Sequence, residues 1–161
     1  MTAQFEIWSG GQTGVDRAAL DVARELGFPI GGWIPRGRLA EDGVISTEYA
    51  GLREADSAEY AVRTERNVRD TDATLVLRWG EATGGTLETI VTARRLGRPL
   101  CEQDLAATEP EAGGHAVAAW LAGLSSLRRL NIAGPRASQA PLAYQRACVV
   151  LRHALLELTG T

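Results

Sequence analysis

Lysine is absent from this chain of 161 residues, whose 17 basic side chains are all arginine. Arginine offers phosphate or carboxylate a fixed planar fork, so its use here favours bidentate recognition at particular places over a diffuse positive field. A basic surplus is missing too. Twenty acidic residues give a net charge of -3 and a pI near 5.4, which argues against a sequence-independent electrostatic grip on nucleic acid. Cysteine is scarce: Cys101 and Cys148 are the only two, expected as buried free thiols and not as a disulfide or a metal site. His115 and His153 have no metal-ligating company at useful spacing and read as structural imidazoles, so no metal site is expected. No run is long and apolar enough to span a bilayer, and the first residues lack a basic-then-apolar secretory pattern, so a soluble cytoplasmic protein with no membrane or nucleic-acid partner is expected.

What is present is a composition of 45% hydrophobic and 23% charged residues, enough for one compact domain over residues 1–161 with a core of its own. Phe5 to Trp8 reads as a first strand and Val15 to Leu26 as an amphipathic helix stopped by Gly27. Pro29 to Ile34 suggests a second strand, followed by a long Arg- and Gly-containing loop over 35–43. A helix is expected over Ser57 to Asp70, a buried strand over Ala73 to Trp79, a helix over Thr86 to Leu96 and a strand over Arg98 to Glu102. Residues 103–113 look linker-like. A small helix at His115 to Leu124, a strand at Arg129 to Ala133 and a closing helix from Ser138 to Leu158 complete the chain. Strands alternating with helices through short loops predict an α/β fold, a mostly parallel sheet with helices on both faces, and Phe5–Trp8 next to Ala73–Leu77 near its centre. In such sheets ligands lie beyond the carboxyl ends of the strands, so the loops after Trp8, Ile34, Trp79 and Ala133 are expected to converge on one crevice.

Those loops hold the unusual residues. Ser9 to Asp21 reads SGGQTGVDRAALD, a glycine-rich turn between a strand and a helix, where Ser9, Gly10, Gly11, Gln12, Thr13 and Gly14 can present backbone N–H groups to an anion. Its G-G-x-x-G spacing departs from the dinucleotide fingerprint, and NAD is disfavoured. A structural alternative is that Thr13 caps the helix and Asp16 completes a capping box. Thr83, Gly84, Gly85 and Thr86 form a second such turn, again a compact anion nest or simply a cap. In NIAGPRAS, Arg136 stands between a proline turn and Ser138, placed either to clamp an oxyanion or as an ordinary surface arginine. Trp33 beside two glycines is suited to stacking on a heterocycle, whereas Arg36, Arg38, Glu41 and Asp42 read by default as solvated loop charges.

The strings SGGQTGVDRAALD, WIPRGRLAEDG, ERNVRDTDATLVL, TGGTLET and NIAGPRAS, in that order, resemble the molybdenum-cofactor carrier family over nearly the whole chain. The resemblance implies a Rossmann-like domain, a homo-oligomer (dimer or tetramer), and binding of the molybdenum cofactor, a pterin phosphate, or of a nucleotide. It also implies kinship with the cytokinin-activating phosphoribohydrolases once called lysine decarboxylases. By similarity to that branch Arg63 would be the catalytic arginine, but in the P-G-G-x-G-T-x-x-E motif Gly85 and Thr86 match G-T while Thr89 stands in place of the glutamate. Glu88 falls one residue early, turned about a quarter circle round the helix. The expectation is therefore a carrier of an anionic small molecule without assigned catalytic residues. Two alternatives remain: a phosphoribohydrolase acting on a nucleoside monophosphate through Arg63 with Glu88 or Asp16, and a non-catalytic oligomerisation module.

Overall fold

Short buried strands and amphipathic helices alternate along the chain, and in the computed structural model, which describes residues 5–160, they build a six-stranded, wholly parallel sheet. The elements are β1 (Glu6–Trp8), α1 (Val15–Glu25), β2 (Ile30–Ile34), β3 (Leu39–Ala40), β4 (Gly43–Val44), β5 (Leu52–Glu54), α2 (Tyr60–Arg69), β6 (Ala73–Arg78), α3 (Gly84–Arg95), β7 (Leu100–Asp104), α4 (Pro110–Ala122), β8 (Arg129–Ala133) and α5 (Ala143–Thr159). The strand order is β5-β2-β1-β8-β6-β7, with β3 and β4 forming a separate antiparallel hairpin.

Side chains alternate across each strand, and the two faces carry different helices. Ile7, Leu75, Leu77, Leu130 and Ile132 pack with Val15, Ala18, Ala19 and Val22 of α1, Val117 and Leu121 of α4, and Val150, Leu151 and Ala154 of α5 in one core. Thr74 and Asn131 alternate with these residues and bond to each other, Asn131 Nδ2 donating to Thr74 Oγ1 at 3.4 Å. On this face α2 and α3 pack together. The parallel sheet with helices on both faces is thus as expected.

The strand order is not. β1 and β6 are both interior strands, but β8 lies between them and pairs with each. The expected adjacency of β1 and β6 is corrected by the last strand of the chain, whose non-local pairing leaves no local trace in sequence. The other departures are at element ends and in loops. The long loop after β2 carries the β3–β4 hairpin, which seats Ala40 and Ile45 with Ile34 in a small second cluster, and the polar edge strand β5. The linker-like stretch closes up: Gln103 and Asp104 end β7, and α4 begins at Pro110, whose fixed φ suits a first helical turn. The closing helix starts at Ala143, five residues later than Ser138, because Gln139 and Ala140 first turn back to donate to the Arg136 carbonyl.

This order creates a crevice. From β1 the chain passes through α1 to β2 on one side, and from β6 through α3 to β7 on the other, so the two connections diverge on opposite faces above β8. Divergence of this kind leaves a gap at the carboxyl ends of the strands where a ligand can enter.

Candidate functional site

A cleft of about 250 Å³ opens at that gap. The turn after β1 supplies Gln12 and Asp16; the turn into α3 supplies Gly84, Gly85 and Thr86, with Glu88 and Thr89 behind them; and the segment after β8 supplies Gly134, Arg136 and Gln139. From the side, α2 adds Tyr60, Arg63 and Thr64. Three of the four expected loops converge here, whereas the loop after Ile34 contributes no lining residue of its own.

In the first turn the glycines serve close packing of the protein on itself. A Cβ on Gly10 would lie 2.7 Å from the Arg63 guanidinium carbon, and one on Gly11 would lie 2.9 Å from Ile45 Cδ1 and 3.2 Å from Ile34 Cγ2. Gly11 therefore faces the small apolar cluster, not the cleft. Gly14, at φ +81°, stands where a Cβ would come 2.3 Å from the Pro135 carbonyl oxygen, which locks the first turn to the segment after β8. Ser9 is buried, its hydroxyl donating to the Asp16 carbonyl at 2.9 Å and accepting from Gly11 N–H at 3.1 Å. Thr13 does not cap α1. Gly14 is the N-cap, and the Thr13 hydroxyl donates to Glu41 Oε2 at 2.7 Å and accepts from Ala137 N–H at 3.1 Å. The capping box is absent too, since Asp16 accepts from Gln12 N–H at 3.3 Å, reaching back over the turn to a different donor.

The second turn is open. Thr83 is the N-cap of α3, with no side chain capping its first turn, and a Cβ on Gly85 would meet nothing within 4 Å. The N–H groups at the start of a helix lack intrahelical partners and carry partial positive charge. Here they lie at a cleft. Thr86 sits inside the first turn and lines the cleft, while Thr83 borders a smaller neighbouring depression with Arg78 and Trp79.

Four charged side chains line the cleft, Arg63, Arg136, Asp16 and Glu88. Arg63 lies beside Tyr60, its guanidinium 5.4 Å from the ring centroid, and donates from one terminal nitrogen to Thr64 Oγ1 at 2.6 Å. The Nε atoms of Arg63 and Arg136 are buried with no hydrogen-bond partner. Asp16 is 4% exposed. Burial pushes its carboxyl up to about 6, against the pull of the Arg63 guanidinium and the Gln12 N–H. Thr89, at the position where the related motif has glutamate, is buried and donates its hydroxyl to the Gly85 carbonyl at 3.0 Å, so it is turned back onto its own helix. Glu88 also reaches the cleft wall.

Trp33 is elsewhere. Its indole N–H donates to Asp70 Oδ2 at 2.8 Å, its backbone N–H donates to Asn67 Oδ1 at 2.7 Å, and the Arg66 guanidinium stacks over the ring at 5.2 Å. It ties β2 to α2 and does not line the cleft. Cys101 and Cys148 are free and half-buried, and His115 pairs on the surface with Glu157 at 2.8 Å. Among the described residues no group of three or more His, Cys, Asp or Glu is arranged to hold a metal ion, and no helix is long and apolar enough to cross a membrane. Sequence reasoning did not single out Tyr60, Thr64 and Gln139. Thr64 and Gln139 are a residue or so from the quoted Arg63 and NIAGPRAS, but nothing in the local pattern marks Tyr60 as facing the cleft.

The model of the circularly permutated YpsA SLOG family matches residues 7–155. The chain belongs to that family. Among solved structures it is similar to the crystal structure, at 1.45 Å resolution, of a "putative molybdenum carrier protein" from Syntrophus aciditrophicus SB, with 40% sequence identity and a TM-score of 0.90. The similarity covers 95% of this chain and 96% of that one. The comparison with curated proteins gives no match. For this SLOG-family chain the Rossmann-like α/β fold follows, and a ligand-binding role is supported.

Proposed function

We propose that this chain is a carrier, built as one Rossmann-like domain, for an anionic phosphate-bearing small molecule: the molybdenum cofactor, as a pterin phosphate, or a nucleotide. The observation that carries the reading is the uncapped first turn of α3 opening onto the same cleft as the side chains of Arg63 and Arg136. An oxyanion is the group that satisfies helix-start N–H groups and guanidinium donors together. Gly85 leaves room for it, because no protein atom lies where its Cβ would be. Gly84, Gly85, Thr86, Arg63 and Arg136 hold the phosphate in this reading, with Gln12 and Asp16 toward the remainder of the molecule. The lining residues include no thiol or imidazole, so a metal would be held by the cargo and not by the protein. The carrier named in the similar crystal structure points the same way. A soluble cytoplasmic homo-oligomer completes the proposal.

Mass spectrometry of small molecules released from the purified protein, together with calorimetry using inorganic phosphate, tests this reading. A phosphate-bearing heterocycle and phosphate binding lost in Gly85→Val are expected; unchanged phosphate affinity in that variant would place the site elsewhere.

A phosphoribohydrolase reading has one observation in its favour: Asp16, a buried carboxyl raised to about 6, shares the cleft with Arg63, and such a group suits acid–base work near neutral pH. Against it, Thr89 cannot supply a carboxylate and its hydroxyl is engaged with the helix. Release of base from a nucleoside monophosphate by the unaltered protein, lost on Asp16→Asn, would make the enzyme reading primary.

A further inference from the structure

Beside the cleft, one carboxylate of the chain is held as a bound anion would be. Glu41, in the turn between β3 and β4, reaches across to the first turn and to the segment after β8. Its Oε2 accepts from the Thr13 hydroxyl at 2.7 Å and from Ser138 N–H at 3.1 Å, and its Oε1 accepts from the Ser138 hydroxyl at 2.5 Å. The Arg136 Nε stands 3.7 Å from Oε1. Two hydroxyls, a backbone N–H and a guanidinium are the donors of a phosphate seat. These donors hold the Glu41 carboxyl below the usual carboxylate range.

Arg136 also lines the cleft, so the seat and the cleft share one arginine. Glu41 stands near enough to attract that guanidinium but leaves its Nε without a hydrogen bond. Ala40 and Ile45 anchor the hairpin in the small apolar cluster, while the tip of its turn is held by polar contacts alone: Glu41 N–H donates to Gln12 Oε1 at 2.8 Å, and Asp42, half exposed, accepts from Arg17 at 3.1 and 3.3 Å. A group held this way can be exchanged for another anion without unfolding the sheet.

We propose that Thr13, Arg136 and Ser138 form a second anion subsite contiguous with the cleft, which the Glu41 carboxylate occupies and yields to a second anionic group of the ligand. This rests on reading the cleft as an anion site. A monophosphate held by the α3 turn, Arg63 and the cleft side of Arg136 does not enter the seat and leaves Glu41 in place. A diphosphate, or a phosphate with a further acidic group, reaches past Arg136 and competes with Glu41, so residue 41 filters ligands by charge.

The probes are inorganic phosphate and inorganic pyrophosphate, titrated by calorimetry into the full chain and into Glu41→Gln at one ionic strength. Glu41→Gln should bind pyrophosphate about tenfold more tightly than the unaltered protein, with phosphate gaining no more than about threefold, because removal of a like charge strengthens anion binding most where the anion enters the vacated seat. In the unaltered protein, pyrophosphate should speed amide hydrogen exchange over residues 39–44 and phosphate should not, a readout independent of how the variant folds. Equal or weaker pyrophosphate binding by folded Glu41→Gln, or protection of residues 39–44 by pyrophosphate, would overturn the inference and leave Glu41 as a structural clasp. The cleft reading would survive that result provided phosphate still binds and Gly85→Val abolishes it. If phosphate and pyrophosphate bind neither protein, both readings fall.

Discussion

The two glycine turns of this chain look alike in sequence and do opposite work. In Gly10–Gly14 the missing side chains admit other parts of the protein: the Arg63 guanidinium against Gly10, Ile45 against Gly11 and the Pro135 carbonyl against Gly14. In Gly84–Gly85 they admit almost nothing, since only Gln139 Nε2, at 3.7 Å, comes near a Cβ on Gly84 and no atom comes near one on Gly85. The first turn is a joint that fixes three segments together, and the second is the open wall of a cleft. A glycine-rich turn before a helix is thus a sign of close approach, and what approaches is decided elsewhere in the fold.

Substitutions separate the two roles. Gly14→Val should be the most severe, because its Cβ would stand 2.3 Å from a backbone carbonyl at φ +81°. A loss of about 4 kcal/mol or more is expected in urea denaturation, and near-native stability would show that the first turn is not a joint.

Asp16→Asn comes next and acts in the other direction. The folded-state value of about 6 lies above the ordinary 3.8, so the neutral carboxyl is the form the fold prefers. Its stabilising contribution is full below 3.8 and is lost as pH rises through 6. That rise corresponds to roughly 3 kcal/mol at neutral pH. Asparagine keeps the size and an oxygen for the Gln12 N–H, so the variant should gain about 2–3 kcal/mol at pH 7 and only about 0.5 kcal/mol at pH 4. A flat difference across that range, measured by denaturation at several pH values, would mean that Asp16 is charged in the fold throughout.

Gly11→Ala should cost about 1–2 kcal/mol, from the left-handed backbone and the displaced end of Ile45, and should leave phosphate affinity within about twofold. Gly85→Val should move stability least, within about 0.5 kcal/mol, since it stands in the first turn of a helix with space around it. Phosphate affinity should nevertheless fall at least about tenfold. If Gly11→Ala lost binding while Gly85→Val kept it, the contrast between the turns would be reversed.

How much of the site was legible follows from the same contrast. Gly84, Gly85, Thr86 and Arg136 lie on cleft walls because each follows a buried strand at the ligand edge, a relation that strand–turn–helix order already contains. Arg63, Glu88 and Asp16, identified through family resemblance or kept as alternatives, line the same cleft. Gly11 and Trp33 do not. Their apolar or hydrogen-bonding partners, Ile45, Asn67 and Asp70, come from segments whose folding back could not be read locally. Thr13 misled in another way: Thr-x-x-Asp is a sound cap pattern, but the hydroxyl found Glu41 and Ala137, which arrive from distant parts of the chain.

By itself the sequence determined what depends on near neighbours: apolar runs that become buried parallel strands, helical periodicities, glycine stops, and turns rich enough in glycine to permit close approach. Arginine without lysine also set the kind of anion contact available. Tertiary structure decided what depends on residues far apart in the chain. It inserted β8 between β1 and β6, which brought Arg136 to the first turn, and it folded the β3–β4 hairpin so that Ile45 filled the space beside Gly11 and Glu41 entered a seat of hydroxyl and guanidinium donors. The physical reason is range. Hydrogen bonding and side-chain periodicity within an element act over a few residues, whereas a cleft is the space left where strands and loops of large sequence separation pack, and its polarity is the sum of groups that meet only there.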